Sequence, residues 1–144
     1  MSKYNNLQNM IQVSSVAGKS IVASKAGEGL DCKNYEDLLV VAKTGTVAAT
    51  SVITLSIQHS DDNGVSDAYA NVTGAVINVA DSDDDTAYMG KVRLNTANMK
   101  RWVRVHAIVA TAAGEYSIYA MAYNKGGALP IANTLAFDVN LGVV

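Results

Sequence analysis

The sequence predicts an all-β protein: a jelly-roll-like antiparallel β-sandwich of about eight strands. Three observations carry this. No stretch shows the 3.6-residue periodicity of a three-turn amphipathic helix, whereas several show strict alternation of apolar and polar residues, the period of a half-buried strand. Turn signals recur at roughly 8–14-residue spacing, as in sandwiches and barrels. And the 144-residue chain is 49% hydrophobic with only one proline, enough to fill one core without an interrupting linker. We read residues 10–144 as a single sandwich domain behind a flexible amino-terminal arm, residues 1–9, which is polar and carries Asn5-Asn6.

The strongest signal lies between Lys100 and Asn124. Val103, Val105, Ala107 and Val109 fall on one face of a strand, and Trp102, Arg104, His106 and Ile108 on the other. A small-residue break, Thr111-Ala112-Ala113-Gly114, precedes a second strand from Glu115 to Asn124 that is rich in Tyr. The simplest expectation is that these two strands form an antiparallel hairpin. The second clear signal is Ser51 to Ser60, with Ile53, Leu55 and Ile57 on a dry face and Thr54, Ser56 and Gln58 on a wet one. It ends in Asp61-Asp62-Asn63-Gly64, a strong turn.

The remaining elements are shorter. Met10–Val16 alternates weakly and reads as a first strand, with Ala17-Gly18-Lys19 as a turn and Ser20–Ser24 as a second strand. Lys25–Asn34 is a loop. Asp37–Lys43 is a compact apolar run of strand length, ended by Thr44-Gly45-Thr46. Tyr69–Val79 holds β-prone pieces around Gly74, Asp81–Asp85 is an acidic loop, and Met89–Leu94 is a short strand. After Lys125-Gly126-Gly127 a last strand runs from Ile131 to Val139.

Composition excludes several functions. A net charge of −2 gives no electrostatic footprint for nucleic acid. No run of about 18 apolar residues is present, so no membrane-spanning helix is expected. The single cysteine, Cys32, forms no internal disulfide, which fits assembly in a reducing cytosol. Charged residues make up 17% of the chain, below the usual quarter, which suits a surface partly occupied by neighbours.

Candidate chemistry is sparse. His59 and His106 have no G-x-S-x-G or H-x-x-E-H context, and Cys32 has no nearby histidine. Asp81, Asp83 and Asp85 alternate like the opening of a calcium loop, but Thr86 and Val92 stand where an EF-hand needs Gly and Glu. They remain the candidate metal ligands, with Asp61 or Asp62 in support, against a solvated acidic loop. No catalytic residue and no cofactor is expected. The basic cluster of Lys91, Arg93, Lys100, Arg101 and Arg104 encloses Trp102. Such a composition suits a protein interface, and its split over two strand faces argues against one nucleic-acid groove.

The order of motifs resembles a known family. Ile53-x-Leu55-x-Ile57 runs into S-D-D-N-G ending at Gly64, followed by D-A-Y-A-N-V (Asp67–Val72) and an acidic loop. Then come G-K-V-R-L (Gly90–Leu94), K-R-W-V-R-V (Lys100–Val105) and Y-S-I-Y-A-M-A-Y (Tyr116–Tyr123). Over about residues 50–125 this is similar to the head decoration, or cement, proteins of tailed bacteriophages, with their S-D-D-G-like turn and K-R-Y-V-R-V strand. The departures are one extra residue in the turn and Trp102 where Tyr is frequent.

The resemblance implies a jelly-roll-like sandwich without catalytic residues. It implies a homo-oligomer, commonly a trimer, assembled in the host cytoplasm and bound to the major capsid protein on the capsid exterior of the virion. The expected contacts are Arg101, Trp102, Arg104, Tyr116, Tyr119 and Tyr123, with strand alternation dividing these aromatics between core and interface, and Tyr4 in the arm. Neither nucleic acid nor membrane is an expected partner. The competing readings are a tail or fibre component of the same particle and a carbohydrate-binding sandwich using Tyr69, Tyr88 and the acidic loop.

Overall fold

A computed structural model describes residues 12–20, 23–123 and 142–143. The expected arm with Tyr4, the turn at Lys125-Gly126-Gly127 and the strand at Ile131–Val139 lie outside the described residues. The strands are β1 (Gln12–Ser20), β2 (Ala23–Ala26), β3 (Leu30–Asp31), β4 (Asp37–Val47), β5 (Ile53–Ser60), β6 (Ala70–Val79), β7 (Ala87–Arg93), β8 (Trp102–Val109), β9 (Gly114–Tyr123) and β10 (Gly142–Val143). They form two antiparallel sheets. The first has the order β1-β9-β4-β7-β10 and the second β2-β8-β5-β6, with the two-residue β3 also on β8. The sequence expectation of an all-β sandwich therefore holds.

The pairings are nested. β1 pairs with β9, β2 with β8, β4 with β7 and β5 with β6. The chain is thus one long double ribbon, rolled up so that β4 also meets β9 and β5 also meets β8. This is jelly-roll connectivity, two Greek keys sharing a core. Among the described residues only β5 and β6 are joined as a local hairpin.

That topology corrects the expectation for Lys100–Asn124. β8 and β9 are not a hairpin: β8 lies in the second sheet and β9 in the first. The intervening connection crosses the sandwich because its polar groups are taken elsewhere. Ala110 N–H donates to Val52 O (2.8 Å), Ala113 O accepts Ala48 N–H (3.0 Å) and Ala112 O accepts the Ser51 hydroxyl (3.0 Å). Thr111 turns the corner at φ 101°. Gly114 then starts β9 directly against β5, where a Cβ would stand 2.3 Å from Ile53 Cδ1. Alternation reports which face is dry, and both strands alternate correctly. It carries no information about which neighbour shares their hydrogen bonds.

Other boundaries shift for similar reasons. Ala17-Gly18-Lys19 continues β1 because it pairs with Ser117, Tyr116 and Glu115 of β9. Thr44-Gly45-Thr46 is a bulge within β4 instead of its end, with the register shifting between Thr44 and Val47. Thr44 is fully buried; its hydroxyl donates to Asp83 O (2.6 Å) and accepts Thr86 N–H (3.0 Å), tying the acidic connection to the bulge. The core between the sheets is built from Leu38, Val40, Ile53, Leu55, Ile57, Val103, Val105 and Ile118, each at most 1% exposed. Each such side chain contributes about 1.5–3 kcal/mol when removed from water.

Candidate interface surfaces

The chain order gathers connections 48–52, 80–86 and 110–113 at one end of the sandwich and 27–36, 61–69 and 94–101 at the other. The second end carries most of the polar structure. In the 61–69 loop, Asn63 (φ 62°) and Gly64 (φ 79°) supply the two left-handed residues of the turn. The Asp62 carboxylate accepts the backbone N–H groups of Val65, Ser66 and Asp67 together with the Ser66 hydroxyl, bonds that hold it well below the usual carboxylate range. Asp67 accepts Asp61 N–H (2.7 Å) and lies 2.7 Å from Lys100 Nζ through both oxygens. Lys100 is thereby ion-paired and its own titration raised.

The basic cluster expected from sequence is dispersed in space. Lys91 and Arg93 lie on β7 in the first sheet, Arg104 on β8 in the second. Lys91 lies 3.0 Å from Asp37, and Arg101 grips Asp31 through Nε (2.9 Å) and a second ionic contact. The Arg101 bond is the main cause holding Asp31 down at about 2. Arg101 also lies over the Trp102 ring, 5.6 Å from its centroid. With Lys91, Lys100 and Arg101 each matched to a carboxylate, no positive groove arises among the described residues.

Arg104 instead anchors an array on the outer face of the second sheet. Its guanidinium stacks 3.9 Å from the Tyr69 centroid and its Nε donates to Gln58 Oε1 (3.0 Å). Gln58 Nε2 and the Ser56 hydroxyl both donate to Asn71 Oδ1 (3.1 and 3.2 Å), and the Tyr69 hydroxyl donates to Asn63 Oδ1 (2.7 Å). Ser56, Gln58 and Ser60 are buried although they point away from the core, because this array and the 61–69 loop cover them. One Tyr69 face is occupied by Arg104, so it offers no open platform there for a sugar.

The outer face of the first sheet is different. Cross-strand pairing puts Val13 beside Met121, Met121 beside Leu39 and Leu39 beside Lys91; the next outward row is Ser15, Tyr119, Val41 and Met89. Val13 is 50% and Tyr119 42% exposed, while Leu39, Val41, Met89 and Met121 are half-buried. Tyr123 is half-buried at the margin. The aromatics divide as alternation requires: Tyr116 is inside the core, Tyr119 and Tyr123 face out from the first sheet, and Trp102 faces out from the second. Tyr116 is thus not available as a surface contact. Leu39, Val41, Met89 and Met121 were missed from sequence. The signal for them was the unbroken Leu38-Leu39-Val40-Val41-Ala42 run, which reads as a strand apolar on both faces.

Nothing resembling a catalytic group assembles among the described residues. His106 Nε2 bonds the Ser24 hydroxyl (2.8 Å), and burial pushes its titration down, with Arg104 adding to the effect. His59 Nδ1 accepts Lys100 N–H (3.4 Å) and is lowered likewise by burial. Cys32 is buried, and burial pushes its thiol up to about 12, leaving it protonated and unreactive at neutral pH. An open depression of about 780 Å³ next to it is lined by Lys33, Tyr35, Glu36, Asn95 and Met99 among others. The acidic connection is not a metal cage. Asp83 turns back to accept Ala80 N–H (2.9 Å), Asp84 accepts Val47 N–H (2.6 Å), and no three His, Cys, Asp or Glu side chains converge among the described residues. Asp81, Asp83 and Asp85 are thus not gathered into one cluster with other such side chains among the described residues.

No protein-family model matches the chain, and no curated protein matches it. A solved structure from a study of Bacillus endospore appendages, described as a novel family of disulfide-linked pili, aligns at 17% identity with a TM-score of 0.39. The alignment covers 81% of this chain and 90% of that one.

Proposed function

We propose that this protein is a non-enzymatic structural component of a bacteriophage virion, a decoration protein that binds the exterior of the assembled head and cements neighbouring capsomers. The observation that carries the reading is the outer face of the first sheet. Side chains of four strands, Val13, Leu39, Val41, Met89, Tyr119 and Met121, form a continuous apolar surface there. This apolar patch, bordered by Lys91 and Lys43, suits burial against another protein. The motif order from Ile53 to Tyr123 supports the same reading. We place the capsid contact on this face, with Tyr119 at its centre, and take the working unit to be a trimer.

The physical mechanism is linkage. A protein that binds only the expanded lattice stabilises that lattice by mass action. Three copies acting together gain avidity that one copy lacks. The test uses heads of the encoding phage, expanded and stripped of decoration. Added protein binds them at micromolar concentration and raises their melting temperature, and light scattering of the free protein gives a trimer. Absence of binding overturns the capsid assignment; a dilution-independent monomer overturns the trimer.

A further inference from the structure

A sheet edge presents unpaired N–H and C=O groups, and native proteins blunt such edges with charge, proline, shortness or cover. Among the described residues four strands end the two sheets: β1, β10, β2 and β6. Three are blunted. Segment 27–28 packs on β1, with the Ser14 hydroxyl bonded to Glu28 O (2.7 Å) and no room for a Cβ at Gly27. β2 is four residues long and carries exposed Lys25. β10 is two residues long. β6 is the exception: ten residues, ANVTGAVINV, without one charge or proline.

Among the described residues the one defence on β6 is a bulge. Gly74 sits at φ +81°, and the register with β5 shifts between Ser56 and Gln58. Beyond it the strand is regular, with Val76, Ile77, Asn78 and Val79 opposite Ser56, Leu55, Thr54 and Ile53. Ile77 and Val79 are locked in the core, so this half is rigid, while Asn78 is exposed and Val76 partly so.

We propose that the free edge of β6 from Ala75 to Val79 pairs antiparallel with the same edge of a second copy, about a two-fold axis at Ile77, continuing the second sheet from one molecule into the next. The lack of charge points to a second copy as the occupant. A two-fold axis at Ile77 brings each strand beside its own duplicate, where a charge near the axis lies within diagonal reach of its like, an unfavourable cross-strand pairing. β7, by contrast, carries Lys91 and Arg93. The contact goes beyond the decoration reading and does not depend on it: it joins two copies whether they are single or already gathered in threes.

The pairing sets Val76 of one copy beside Asn78 of the other, at the separation of about 4.5–5.5 Å that antiparallel partners share and a disulfide spans. Both residues are on the outer face, so Val76→Cys with Asn78→Cys leaves the core intact. Mild oxidation of this double variant gives a covalent dimer, while the parent, whose Cys32 is buried, gives none. In sedimentation velocity from micromolar to millimolar protein, the parent doubles the mass of its smallest species. Asn78→Lys shifts that association at least tenfold weaker, and Asn95→Lys, in the exposed connection before β8, leaves it unchanged. No doubling by the parent, no covalent dimer from the folded double variant, or an unaltered association of Asn78→Lys overturns the proposal. Binding of Asn78→Lys to stripped heads reads out the decoration role separately.

Discussion

The outer faces of the two sheets come from the same alternation over the same core, yet they are chemical opposites. The first sheet turns out Val13, Leu39, Val41, Met89, Tyr119 and Met121; the second turns out Ser56, Gln58, Asn71, Arg104 and His106, bonded largely to one another. On the polar face Ser56, Gln58, Asn71 and Arg104 close their hydrogen bonds within the molecule, and Arg104 covers one side of the Tyr69 ring. The apolar face has surface left to bury. Satisfaction of groups, more than their polarity, marks which side of a sandwich is free to engage a partner.

The largest expected effect cuts through what the faces share. Leu55→Ala empties a fully buried position between the sheets and costs about 2–5 kcal/mol, so both faces are lost together in a single lowered unfolding transition. Next comes the apolar face alone. Tyr119→Asp weakens head binding by about 100-fold, equivalent to about 2.7 kcal/mol, while chemical denaturation shifts little because Tyr119 is 42% exposed. If denaturation shifts as much as binding, the face is structural and the contrast between the two surfaces fails.

Asn71→Ala gives the reverse pattern on the polar face. It strands the Ser56 hydroxyl and the Gln58 amide, both buried, at about 1–3 kcal/mol of stability, and leaves head binding unchanged. The smallest effect is at the loop end. Asp31 is held at about 2 by Arg101 against about 3.9 in the unfolded chain. Its contribution is therefore fully present above about pH 4 and is lost as pH falls toward 2. Asp31→Asn makes the acid fall in stability shallower over that window and lowers stability by a constant amount above about pH 4, leaving the pH dependence there unchanged. At the alkaline side the sign reverses for Cys32. The unfolded thiol ionises near 8.5 and the folded one at about 12, so its contribution declines as pH rises above about 8.5. Thiol labelling at pH 8 accordingly proceeds only on unfolding.

Much of this was legible residue by residue. Val103, Val105, Ala107 and Val109 are at most 1% exposed, as their alternation required, and Ile53, Leu55 and Ile57 are fully buried. The turn at Asn63-Gly64 followed from residue types that tolerate positive φ. The partner of Arg104 was not legible, because Tyr69 is far away in sequence and arrives through the β5–β6 loop. Nor was the neutralisation of Lys100 and Arg101, whose carboxylates come from two other connections.

By itself the sequence determined that this chain is a β-sandwich and which side chains of each clear strand are dry. These are local properties, set by the two-residue period of an extended backbone and by the residues that tolerate a turn. Only the tertiary structure decided that β8 and β9 part to opposite sheets, that Lys91, Lys100 and Arg101 each meet a carboxylate, and which outward face is left apolar. Strand neighbours are chosen by hydrogen bonds between residues remote in the chain, and a local pattern has no means of naming them.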